Sequence, residues 1–182
     1  MWIALIIIAI VVIFAISVYN SLVTSKQKVK NAWSQIDVQL QRRFDLIPNL
    51  VESVKGYMKH EESTLSKITE LRTSWANAKT VAEKADINDK LSGALKTIMA
   101  VSENYPDLKA NQNFMQLQEE LKNTENKISF SRQFYNDTVT IYNTKLEVFP
   151  SNLFASMFHF TQEELFKVDA EDARKNVKVD FN

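Results

Sequence analysis

The chain has 182 residues, with 22 basic and 22 acidic side chains and no net charge. It therefore lacks the electrostatic footprint with which duplex-binding proteins displace counterions, and nucleic acid is not an expected partner. Two glycines and three prolines leave little turn chemistry for hairpins or tight βα loops, and the absence of cysteine excludes disulfides, zinc ribbons, thiol nucleophiles and lipoprotein-type acylation. The composition is that of an all-α protein.

From Met1 to Val18 the sequence "MWIALIIIAIVVIFAISV" is apolar apart from Ser17. At the helical rise it reaches roughly 27 Å, close to the hydrocarbon thickness of a bilayer. It has no basic segment ahead of it and no small-x-small site behind it, so it reads as an uncleaved single span rather than a signal peptide. Nothing basic precedes it, whereas Lys26, Lys28, Lys30, Arg42 and Arg43 follow. The positive-inside rule then places the N-terminus outside and the bulk of the chain in the cytoplasm.

Beyond the span, Val29, Trp33, Ile36, Leu40, Phe44, Ile47, Val51, Val54 and Met58 recur at helical spacing along one face. The stripe passes Pro48 in phase, which predicts a kink near residues 44–48 rather than a break. In this reading Trp33 is buried, while Arg42, Arg43 and Asp45 fall on the flanks as a solvated polar face with an ion pair. A second helix carries Leu65, Ile68, Leu71 and Trp75 behind a start signal at Glu62 or Ser63. A third carries Ile87, Leu91, Leu95, Ile98 and Val101 and ends before Pro106. The fourth runs from about Lys109 to Phe149. Its main stripe is Phe114, Leu117, Leu121, Ile128, Tyr135, Tyr142, Leu146 and Phe149, with Met115, Phe130, Phe134 and Ile141 alongside, and two adjoining apolar stripes predict two packing neighbours.

The expected organisation is thus a transmembrane anchor (1–19), an antiparallel up-and-down four-helix bundle (20–149) and a Phe-rich C-terminal segment with a tail (150–182). If four helices alternate in direction, the last descends toward the bilayer and delivers the Phe-rich segment near the headgroups. If residues 26–79 were one helix through Gly56, only three would alternate and that segment would point away. "FPSNLFASMFHFTQEELF" holds Phe149, Phe154, Phe158, Phe160 and Phe166 and must be covered by something. Either the rings cap the end of the bundle, or Phe154, Met157, Phe158 and Phe160 contact the membrane or a partner. The final "NVKVDFN" alternates like a short strand.

Several blocks resemble the LemA family: "YNSLV" (19–23), "NAWSQIDVQLQRRFDLIPNLVESVKGYMKHE" (31–61), "YPDLKANQNFMQLQEELKNTENKISFSRQFYNDTVTIYN" (105–143), "FPSNLFA" (149–155) and "VKVDF" (177–181). Trp33, Arg42, Arg43, Asp45 and Pro48 belong to the structural signature. The resemblance implies a bacterial inner-membrane protein with one N-terminal span and a four-helix bundle, and leans toward interaction rather than catalysis. One departure is His159, which stands before Phe160 where relatives commonly have glycine, so a turn that needs glycine is expected to be altered there.

No ordered catalytic motif is present. His60 and Glu61 are followed by Thr64 where a zinc-protease helix needs a second histidine. Tyr57 and Ser156 occupy the places where di-iron bundles put glutamate three residues before histidine. Gly56 and Gly93 cannot build a phosphate loop or a nucleophile elbow. No catalytic residue, cofactor, metal or small-molecule substrate is expected. The expected partners are membrane lipid through the span and another membrane protein or a second copy. The alternative is an enzyme or accessory of membrane-protein quality control.

Overall fold

The structure is a computed structural model that describes residues 1–58 and 60–167. The strand-like "NVKVDFN" and the "VKVDF" block lie outside the described residues. Among the described residues the elements are helical: α1 (Trp2–Asp45), α2 (Ile47–Lys55), α3 (Glu62–Asn77), α4 (Val81–Ser102), α5 (Pro106–Lys109), α6 (Gln112–Glu147) and α7 (Ser151–Met157). The fold is an all-α bundle with a long apolar N-terminal helix.

The helix ends follow local chemistry. Leu46 separates α1 from α2 but keeps right-handed backbone angles, with φ −77 and ψ −19, and Pro48 sits in the first turn of α2, where a missing N–H is harmless. The helix is thus interrupted at Leu46, within the stretch where the sequence predicts a kink. α4 opens with a capping box in which Glu83 N–H donates to the Thr80 hydroxyl and Thr80 N–H donates to the Glu83 carboxylate. α6 begins at Gln112, not Lys109, because the short α5 intervenes and Asn111 Oδ1 then accepts from the Asn113 and Phe114 N–H groups. α7 ends in a left-handed residue, His159, at φ 54.

Contacts divide the chain into two compact units. The first comprises residues 1–39 and 126–165, the second residues 40–125 with Phe166. In the second unit α2 and α3 are separate helices that pack together, so the single helix through Gly56 is overturned. α3 and α4 form a hairpin closed by Ala78–Thr80. Phe44, Ile47, Leu50, Val54, Ile68, Leu91, Ile98, Leu108 and Phe114 are buried here. Phe44 stacks on Trp75 with centroids 4.7 Å apart, and Lys84 Nζ lies 4.6 Å from the centroid of the Trp75 ring.

In the first unit α1 and α6 run antiparallel. Leu22, Val29, Ala32 and Ile36 are buried on α1, and Ile128, Tyr135, Val139 and Tyr142 on α6. Trp33 is half-buried rather than buried, meeting Tyr135 edge to face at 5.6 Å, while the adjacent Ala32 takes the buried position. After α7 the chain returns in extended form along α6 and is held by its side chains. Tyr135 and Tyr142 hydroxyls donate to the Glu164 and Thr161 carbonyls, at 2.7 and 3.0 Å. Asn143 donates to the Glu163 carbonyl and accepts from its N–H. A segment without a helix or sheet of its own must satisfy its backbone this way.

The expectation that the second apolar stripe of α6 packs against a neighbour is corrected. Its second stripe is open: Met115 is 49% exposed, Phe130 75%, Phe134 53% and Ile141 60%. The buried residues of α6 (Phe114, Leu121, Thr124, Ile128, Tyr135, Val139 and Tyr142) follow one face at intervals of three, four or seven, enough for a single packing side. Phe149 is exposed as well, because α6 ends before it.

Candidate functional site

Two constellations draw on the residues singled out in the sequence. The first, in the second unit, is built on Arg43. Its side chain is 3% exposed, not on a solvated flank as expected. Residues 36, 40, 43, 47, 50 and 54 lie on one helical face, so Arg43 occupies a core position between Leu40 and Ile47. Arg43 Nη1 donates to Asn88 Oδ1 at 2.8 Å and Ser92 Oγ at 3.0 Å, and pairs with the Glu125 carboxylate at 2.5 Å. Burial pushes the guanidinium pKa down, while the Glu125 and Asp89 carboxylates oppose that shift. Its neighbour Arg42 is exposed and reaches Glu120 at 3.2 Å, and Asp45 is exposed and accepts from Gln41. The cluster fixes α1, α4 and α6 in register through one fully buried cation. The contacts are those of a structural cluster: the guanidinium donates to side chains of the same unit and pairs with the Glu125 carboxylate.

The second constellation, in the first unit, is an aromatic collar on α1. α7 lies against the apolar helix, with Phe154 meeting Phe14 at 6.4 Å between centroids. Phe158 and Phe160 flank Tyr19 at 4.8 and 6.0 Å, both edge to face. Ala155 is the buried contact of α7, whereas Leu153 (57%), Met157 (67%) and Phe158 (50%) remain exposed. Of the four predicted contact residues, Phe154, Phe158 and Phe160 thus converge on α1, and Met157 is exposed. Further along, Lys145 donates to Ser21 and Ser25, and Lys26 pairs with Glu163 at 3.7 Å.

His159 shapes this collar through its backbone. Phe160 N–H donates to the Ala155 carbonyl at 2.9 Å and His159 N–H to the Ser156 carbonyl at 3.2 Å. This is the paired bonding of a Schellman cap, with His159 at the position that glycine ordinarily fills. The left-handed turn is formed here with a histidine. Missed in the sequence were Phe14 and Tyr19 as partners of the phenylalanines, and the tyrosine ladder on α6. A signal existed for the latter, since buried tyrosine hydroxyls need acceptors that a helix does not supply.

Comparison with known proteins gives these features a context. The LemA family model matches residues 32–181. The chain belongs to the LemA family. It is 30% identical over 168 residues to Protein LemA of Metamycoplasma hominis, covering 85% of this chain and 75% of that protein. It is also 25% identical over 175 residues to the magnetosome proteins MamQ 1 and MamQ 2 of Paramagnetospirillum magneticum, covering 82% of this chain and 64% of each of theirs. The chain thus spans less than two thirds of the magnetosome relatives' length. The region that matches the family model holds Arg43, the helix interruption at Leu46, the tyrosine ladder and the open stripe of α6.

Proposed function

We propose that this LemA-family protein is a single-pass, membrane-anchored interaction protein. Its N-terminal helix crosses the bacterial cell membrane with the N-terminus outside, and its helical bundle acts in the cytoplasm by association rather than by catalysis. The observation that carries this is the open stripe of Phe130, Phe134 and Ile141 on α6, three large apolar side chains each more than half exposed. Such a stripe on a helix side is a protein-contact surface more often than a solvated one. Val148 extends it at the same seven-residue spacing that separates Ile141 from Phe134, and is 47% exposed. A protein tethered by one span presents this face sideways, toward another anchored protein or a second copy. Two relatives are named for a structure, the magnetosome, and none of the three for a reaction.

The test is a photo-crosslinking residue placed at Phe134 in the full chain in native membranes. The reading expects an adduct of defined protein mass, absent when the same residue is placed at the exposed Lys122 and lost when Phe130→Ser is added. Adducts to lipid alone, or identical patterns at both positions, would contradict it.

A further inference from the structure

The collar on α1 carries an inference that rests on the proposed membrane span but not on the α6 stripe. Along α1 the side chains change in a fixed order: apolar through Val18, then Tyr19, then Lys26. Along the C-terminal segment the order is Phe154, then Phe158 and Phe160, then Glu163. The structure pairs the two sequences rung by rung, as Phe14 with Phe154, Tyr19 with Phe158 and Phe160, and Lys26 with Glu163. Apolar, aromatic and charged levels in that order are the profile of a bilayer read from the hydrocarbon edge outward. Phe14 lies about 6 Å inside the end of the apolar run at the usual helical rise, so whatever contacts it shares that depth.

From this we infer that α7 is a second membrane contact. It is a short amphipathic helix seated in the acyl-chain boundary beside the span, with Ala155 and Phe154 turned to α1 and Leu153 and Met157 turned to lipid. Its composition fits that environment, since no Asp, Glu, Lys or Arg occurs between Glu147 and Glu163. Phe149, Leu153, Met157 and Phe158 are between 50 and 78% exposed at this level, alongside the exposed Ser156 and His159. Outward from this level, Lys26, Lys28 and Lys30 on α1 stand where anionic headgroups attract cations. The occupant of the exposed face of α7 is therefore the lipid surface, and the contact limits how the first unit tilts about its anchor.

The chain has no native cysteine, so single cysteines at Leu153 and Met157, with a control at Glu119, take an environment-sensitive fluorophore cleanly in the full-length protein. Reconstitution into vesicles of phosphatidylcholine and phosphatidylglycerol, some carrying nitroxide lipids, then reads depth. Expected at 153 and 157 is loss of most emission with nitroxide near the headgroup end of the acyl chain and little loss with aqueous iodide, the reverse of position 119. Iodide quenching equal to that at 119 would overturn the inference. So would shielding from both quenchers, which would mean that protein rather than lipid covers α7.

Discussion

Phe44 and Phe130 belong to different units and meet opposite fates. Phe44 is 1% exposed and stacks on Trp75, while Phe130 is 75% exposed. The contrast extends to the units that hold them. Among the described residues, the exposed large apolar side chains of the second unit are Tyr57 and Met115. The first unit exposes most of the N-terminal apolar segment, together with Tyr19, Val23, Val38, Phe130, Phe134, Ile141, Val148, Phe149, Leu153, Met157 and Phe158. The chain buries its apolar residues well in the second unit and leaves many of them open in the first. The difference separates a core closed within the chain from a unit whose apolar surface the proposed contacts would cover.

The sharpest way to break this comparison is to truncate both phenylalanines. Phe44→Ala should cost about 3–5 kcal/mol in denaturant unfolding, because a fully packed ring is lost from a core that cannot collapse around the gap. Phe130→Ser should stay within about 0.5 kcal/mol of the parent in detergent. Similar losses at the two positions would mean that Phe130 is covered within the folded chain.

The adjacent arginines sharpen the picture inside the second unit. Arg43→Ala should cost about 3 kcal/mol, because it strips Asn88 and Glu125 of a buried partner. Arg42→Ala, which breaks an exposed pair with Glu120, should cost under about 1 kcal/mol. Chemical denaturation of the two variants separates them, and equal values would place Arg43 in solvent.

In the first unit the tyrosine ladder has a pH signature. Burial, then the Glu163 and Glu164 carboxylates, push the Tyr135 pKa up from 10.0 to about 12. The phenol's contribution is complete below pH 10 and is lost as pH rises from 10 to 12, since the unfolded chain ionises first. After allowance for solvent screening the loss is roughly 1–2 kcal/mol. Tyr135→Phe cannot ionise, so its stability should fall less over that interval in a pH series of thermal melts; an unchanged slope would remove the ladder's claim to burial.

The smallest effect concerns His159. Left-handed backbone at φ 54 is unfavourable for a side chain with a Cβ, and His159→Gly should raise stability by about 0.5–1 kcal/mol. A loss measured by calorimetry would show that the imidazole contributes contacts that outweigh the strain.

Much of this architecture was legible in the sequence because helical spacing and breakers are local. The stripe from Val29 to Met58 and the helix from Glu62 rest on intervals of three and four residues, and the interruption at Leu46 on the nearby Pro48, all of which the sequence displays. Arg43 was not legible as a core residue, because a cation on an apolar face looks like a flank until Asn88, Ser92 and Glu125 arrive from distant positions. The exposure of Phe130 and Phe134 was misread for a related reason. Periodicity shows that a helix has a second apolar face and says nothing about whether the neighbour that covers it belongs to the same chain. Phe154 and Phe158 were read as a choice between a cap and a contact with the membrane or a partner, and their neighbours, Phe14 and Tyr19, lie at the other end of the sequence.

The central claim is that the apolar surface of the first unit is covered in the membrane by something outside the chain. Single cysteines at Phe130, Phe134 and Leu153, with Lys122 as a solvent-exposed reference, report on it through alkylation rates by a membrane-impermeant maleimide in cytoplasm-exposed membrane vesicles and after detergent extraction. The account predicts slow labelling at all three positions in membranes, fast labelling at 130 and 134 once partners are extracted, and no change at 122. Labelling at 130, 134 and 153 as fast in membranes as at 122 would contradict it.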